Sequence, residues 1–132
     1  MSALVLKYTF TTAGFALTLP ISTDGTLTSV NWDDGTTDSN YSHTYTNAGT
    51  YTISITGTGI TQLSQSLSGT GTVYLTECSS FGEIGLTNLS NAFNGCTSLI
   101  TVPSSLPASS TVTNMSFMFR RATSFNQDIS GW

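Results

Sequence analysis

Thr87-Asn88-Leu89-Ser90-Asn91-Ala92-Phe93 recurs 26 residues later as Thr113-Asn114-Met115-Ser116-Phe117-Met118-Phe119. At the same offset Cys96-Thr97-Ser98-Leu99 falls on Ala122-Thr123-Ser124-Phe125, and Leu106 falls on Trp132. A period of roughly 20–29 residues that holds its apolar positions marks a leucine-rich-repeat-like solenoid, in which each unit buries its face against a neighbour. Residues 73–132 read as such a segment, with two 26-residue repeats. Apolar residues three and four apart in each N-L-S-N-A-F or N-M-S-F-M-F run predict a short helix there.

Upstream the period changes. Residues 4–11, 15–20, 27–32, 43–46 and 50–56 are short β-type segments separated by turn signals, the cadence of an all-β sandwich. Phe15, Leu17 and Leu19 alternate with polar or small residues, as do Tyr51, Ile53 and Ile55, so each strand should bury one face. Asp24-Gly25, Asp34-Gly35 and Asn47-Ala48-Gly49 supply the left-handed positions that tight turns require. The expected organisation is mainly β: a sandwich over 1–58, a Thr/Ser/Gly-rich connector over 59–72, and the repeat unit.

Two resemblances sharpen this. Val30-Asn31-Trp32-Asp33-Asp34-Gly35-Thr36, then Ser42-His43-Thr44-Tyr45 and Ala48-Gly49-Thr50-Tyr51-Thr52-Ile53, are similar to the signature of polycystic-kidney-disease (PKD) type domains, with the first motif shortened. That likeness implies an Ig-like β-sandwich serving as an extracellular spacer or binding module. The run T-N-M-S-F-M-F-R-R-A-T-S-F-N-Q-D-I-S-G-W at 113–132 resembles the repeat of BspA-like leucine-rich-repeat surface proteins. It implies a surface-exposed protein in adhesion or assembly, of the kind found in bacterial envelopes and some phage structural proteins.

Composition narrows the function. Of 132 residues, 25 are Thr and 20 Ser, while only 8% are charged, a polar surface of adhesin or capsid type. Lys7, Arg120 and Arg121 are the only Lys or Arg against a net charge of −4, so a phosphate backbone would find no basic patch and nucleic-acid binding is disfavoured. No apolar run approaches the roughly 20 residues that span a bilayer, and 1–10 lacks a signal-peptide h-region. The expectation is therefore a virion protein, such as a phage head decoration or tail-associated subunit, or an extracellular surface filament. It would form a homo-oligomer or dock on a capsid or filament scaffold.

The candidate residues follow from that reading. Phe117, Phe119, Phe125 and Trp132 are expected to form an assembly face, because a stack this short leaves its last apolar face uncovered. A glycan-binding module is the alternative, with Trp32, Tyr41 and Tyr45 as ring contacts. Asp33, Asp34 and Asp38 could supply oxygens to Ca²⁺, although aspartates that cap their own turns are the preferred reading. His43 has no nucleophile-elbow serine to serve, and no cofactor motif is present, so no enzyme is expected. Asn88 and Asn114 share a repeat position, which favours turn closure over glycosylation, and Arg120 or Arg121 should contact Asp128 or a neighbouring subunit. Cys78 and Cys96 read as small buried apolar residues.

Overall fold

Tyr8 and Phe10 on the first strand show how the alternation works: with Leu4 and Leu6 they are buried, while Val5, Lys7 and Thr9 point the other way. The computed structural model describes residues 2–107 and 111–132. Among the described residues there are seven strands: β1 Leu4–Phe10, β2 Phe15–Thr18, β3 Thr26–Asn31, β4 Thr37–Asp38, β5 Ser42–Tyr45, β6 Gly49–Thr58 and β7 Leu75–Ser80. The chain is mainly β, and among the described residues the sole helical element is one 3-10 turn at Thr72–Tyr74.

The strands form a five-stranded sheet in the order β4-β3-β6-β1-β7 and a two-stranded sheet, β2-β5, every pair antiparallel and neither sheet closed. β1 and β6 run in register from Leu4↔Ile55 to Phe10↔Gly49, which puts Leu6 and Ile53 on the same buried face. The small sheet packs over that face through rings: Phe10 stacks on Phe15 at 4.5 Å between centroids and meets Tyr45 at 5.1 Å. Two turn glycines have different reasons to be glycine. Gly35 sits at φ 91° beside Asp33 at φ 66°, as a tight turn demands. Gly25, expected to be left-handed as well, is not; a Cβ there would lie 2.2 Å from the Thr58 carbonyl oxygen, so close backbone approach fixes it.

Beyond β6 the chain winds into stacked rungs. The Thr61 carbonyl accepts from Thr87 and Asn88 N–H, and the Thr87 carbonyl accepts from Thr113 N–H at 2.8 Å. Parallel bridges join Gln62 to Asn88 and Asn88 to Asn114. The stretch read as a connector over 59–72 therefore contributes a rung of its own, in register with the two recognised repeats. A second parallel ladder extends the outer edge of β7, with Glu77 bridged to Thr101. The Gln127 side chain then accepts from Val102 N–H and donates to its carbonyl, both at 2.8 Å, standing in for a strand. β7 lies inside the span assigned to the repeat unit, yet it pairs with β1 of the N-terminal sheet.

The short helices expected in each repeat are absent; successive turns take their place. Ala92 N–H donates to Leu89, Cys96 to Phe93, Met118 to Met115 and Ala122 to Phe119. Each pair of turns carries left-handed residues at equivalent positions, Asn91 (φ 57°) with Phe117 (φ 55°) and Gly95 (φ 79°) with Arg121 (φ 60°), which no helix accommodates. Four-residue turns repeat their apolar positions at nearly the spacing of a helix. The first rung is covered on its outer side by 20–22, where Ile21 pairs antiparallel with Leu63 and Ser64 N–H donates to the Pro20 carbonyl at 2.8 Å. One apolar cluster runs through sheets and rungs, from Leu4 and Trp32 to Leu63, Leu89, Phe93 and Met118.

Candidate functional site

The Trp32–Asp38 hairpin gathers the acids and the histidine. Its chemistry is spent internally. The Trp32 indole N–H donates to Asp38 Oδ1 at 2.9 Å, His43 Nε2 meets Asp34 Oδ2 at 2.6 Å, and Asp33 Oδ2 accepts Thr52 N–H at 2.9 Å. The His43 ring stacks on Trp32 with centroids 4.9 Å apart and lies edge-on to Tyr45. Partial burial raises the Asp34 carboxyl, but hydrogen bonds from His43 and Thr36 outweigh it and hold the group below the usual range. The indole bond does the same for Asp38.

These contacts place the Ca²⁺ candidates. Asp33, Asp34 and Asp38 turn to three different partners, and among the described residues no group of three His, Cys, Asp or Glu could hold a metal ion. Two of the glycan candidates are corrected outright. Trp32 and Tyr45 are both fully buried, the Tyr45 hydroxyl donating to the Trp32 carbonyl at 2.9 Å, so neither ring can meet a ligand. Tyr41 alone stays at the surface, half-buried beside a cleft.

Nucleophiles fare no better. Cys78 and Cys96 are free and buried; burial pushes the Cys96 thiol up to about 12 and Cys78 higher still, so thiolate is scarce at neutral pH. Asn88 and Asn114 close turns, their Oδ1 atoms accepting Ser90 and Ser116 N–H at 2.9 Å.

The last rung is different in kind. Between the second and third rungs, Leu89, Asn91, Phe93 and Gly95 N–H donate to the carbonyls of Asn114, Ser116, Met118 and Arg120 at 2.8–2.9 Å. One repeat on, the N–H groups of Met115, Phe117, Phe119 and Arg121 meet no acceptor among the described residues. The carbonyls of Met115, Phe117 and Phe119 are already taken by their own turns. The end of the stack is thus a row of donors, flanked by Phe117 at 61% and Met115 at 45% exposure.

Of the four residues expected in an assembly face, only Phe117 projects outward. Phe119 stacks on Phe93 at 5.7 Å and on Phe125 at 4.3 Å, while Trp132 packs on Phe81 and donates its indole N–H to the Pro103 carbonyl at 3.0 Å. Those three close the interior of the last rung. Met115 belongs to the face and was missed; its equivalence to Leu89, buried one repeat earlier, was the available signal. Arg120 lies over the Phe117 ring at 5.6 Å instead of pairing with Asp128.

Residues 61–132 match the family described as "Mycoplasma protein of unknown function, DUF285". Comparison with curated proteins and with solved structures gives no match.

Proposed function

Because the chain belongs to the DUF285 family, we propose that it is a non-catalytic surface protein that docks through the open end of its rung stack. The family is associated with BspA-like surface repeat proteins, which favours an extracellular surface over a virion. In this reading the N-terminal sheets are a PKD-like sandwich that caps one end of a leucine-rich-repeat-like solenoid, and the other end is the working face.

The observation that carries the reading is the donor row at Met115, Phe117, Phe119 and Arg121. Each N–H that leaves water without an acceptor loses about 1–3 kcal/mol, so this edge favours a partner that presents carbonyls at alternate positions. Exposed Phe117 and Met115 add apolar area to the same contact. Two such rows facing each other would oppose donor to donor, and the carbonyl-bearing end of the stack is occupied by 20–22. An extended segment that presents its carbonyls, as a scaffold chain could, is therefore favoured over end-to-end pairing of two copies.

A photo-crosslinking residue placed at Phe117 in producing cells tests this. Crosslinks to another chain at 117, with none from the exposed Thr44 on β5, are expected, and their mass separates scaffold from self. Equal yields at both positions, or none at 117, would overturn the reading.

A further inference from the structure

Of the positions at which the first rung departs from the second, two meet at one place. Where the second and third rungs carry Asn88 and Asn114, the first carries Gln62; where the second buries Phe93, the first exposes Leu67 at 46%. Gln62 and Leu67 line a cleft of about 420 Å³ with Tyr41, Thr23, Asp24 and Leu19. That volume falls in the roughly 300–1,000 Å³ range of small-molecule sites.

The free amide has a structural cause. In the later rungs the Asn side chain closes a turn onto Ser90 or Ser116 N–H. In the first rung the corresponding Ser64 N–H donates to the Pro20 carbonyl instead. Gln62 backbone is clamped on both sides by Ser22, whose N–H donates to the Gln62 carbonyl and whose Oγ accepts Gln62 N–H, each at 3.0 Å. Its side-chain amide, with two donors and an acceptor, has no partner among the described residues, and neither has the Tyr41 hydroxyl. Tyr41 itself is pinned by its carbonyl, which accepts Leu19 N–H at 2.8 Å. Asp24 is held in place by Ser22 and Thr61, which keep its carboxylate below the usual range.

From this juxtaposition we infer that the cleft is a binding site for a neutral carbohydrate. An aromatic ring and Leu67 offer an apolar floor for the C–H face of a sugar. Gln62 can bridge adjacent hydroxyls as donor and acceptor, and Asp24 retains capacity to accept one more hydroxyl. None of the lining residues is cationic, so a phosphate or acidic sugar finds no countercharge. A single carboxylate already holding three hydrogen bonds is a poor site for a cation. The site lies at the opposite end of the rung stack from the docking edge and stands or falls independently of it.

The test is a titration of the full chain, followed by the backbone and side-chain amide signals of the cleft residues in ¹⁵N NMR. The probes are glucose, galactose and N-acetylglucosamine, with sialyllactose and glycerol as controls. At least one neutral sugar should saturate with Kd on the order of millimolar. Tyr41→Ala and Gln62→Asn, the latter shortening the reach by one methylene, should each weaken it about tenfold with the urea midpoint unchanged. Gln62→Asn leaves the backbone clamp intact and so keeps the comparison valid if Tyr41→Ala folds poorly. No saturable shift at ~50 mM sugar, an equal response to glycerol, or binding indifferent to Gln62→Asn would overturn the site.

Discussion

Leu89 and Met115 occupy the same repeat position, one fully buried and the other 45% exposed, and truncating each measures whether the stack is open where it stops. Leu89→Ala removes a side chain enclosed by rungs on both sides. Such truncations cost about 2–5 kcal/mol, the transfer loss plus the cavity left behind, and about 3 kcal/mol is expected here. Met115→Ala removes a side chain roughly half in water, with no neighbour beyond it to wall a cavity, so about 1 kcal/mol or less is expected. The gap of about 2 kcal/mol corresponds to ~8 °C in Tm at ~4 °C per kcal/mol for a chain of this size. Urea unfolding of both variants at micromolar concentration, with m-values compared to confirm two-state behaviour, reads the gap directly. Equal costs would mean that Met115 is covered in the free chain, and the donor row beside it would then be no open edge.

Three further outcomes are expected. Arg121 holds φ 60° where the preceding repeat has Gly95, so Arg121→Gly should stabilise by about 0.5–1 kcal/mol in urea unfolding; a loss would show that the Arg side chain outweighs its backbone strain. The native thiols of Cys78 and Cys96 should resist a disulfide reagent at pH 8 and react promptly in denaturant, whereas fast native reaction would contradict their burial. Asp24, Asp34, Asp38, Glu83 and Asp128 all have carboxyls held below their usual range, mostly by hydrogen bonds from neighbours. A depressed folded-state value contributes stability above the unfolded value near ~4 and loses it as pH falls through the folded one. The urea midpoint should therefore be flat near neutrality and drop below about pH 4; a midpoint rising on acidification would refute the assignment.

What was legible in the sequence follows the physics of each element. β1, β2 and β6 were readable because a strand with one buried face must alternate, and Leu4, Leu6, Tyr8 and Phe10 do so. β7 was not, because irregularities in its pairing with β1 break the period: its buried positions, Leu75 and Cys78, lie three apart. The repeat turns imitated helices since four-residue turns and helical turns space apolar residues alike, and only the left-handed φ at Asn91 and Gly95 tells them apart. Trp32 and Tyr45 looked like surface rings because nothing in a sequence says that Asp38 waits for an indole N–H in the interior.

The first rung escaped notice for a reason that bears on function. Thr61-Gln62-Leu63-Ser64 repeats Thr87-Asn88-Leu89-Ser90 at the same offset, but Gln replaces Asn and Leu67 replaces Phe93. A repeat unit stacked between two like neighbours has its backbone polar groups consumed by register; the Leu89 N–H, donating to the Asn114 carbonyl, shows how. A unit at an end is released from that constraint on one side. At the first rung the segment 20–22 takes over the pairing, and Gln62, its side-chain amide without a partner among the described residues, lines a cleft. At the third rung no described residue takes it over, and the N–H groups of Met115, Phe117, Phe119 and Arg121 have no acceptor among the described residues. Both proposed contact sites thus lie where the repeat stops satisfying itself.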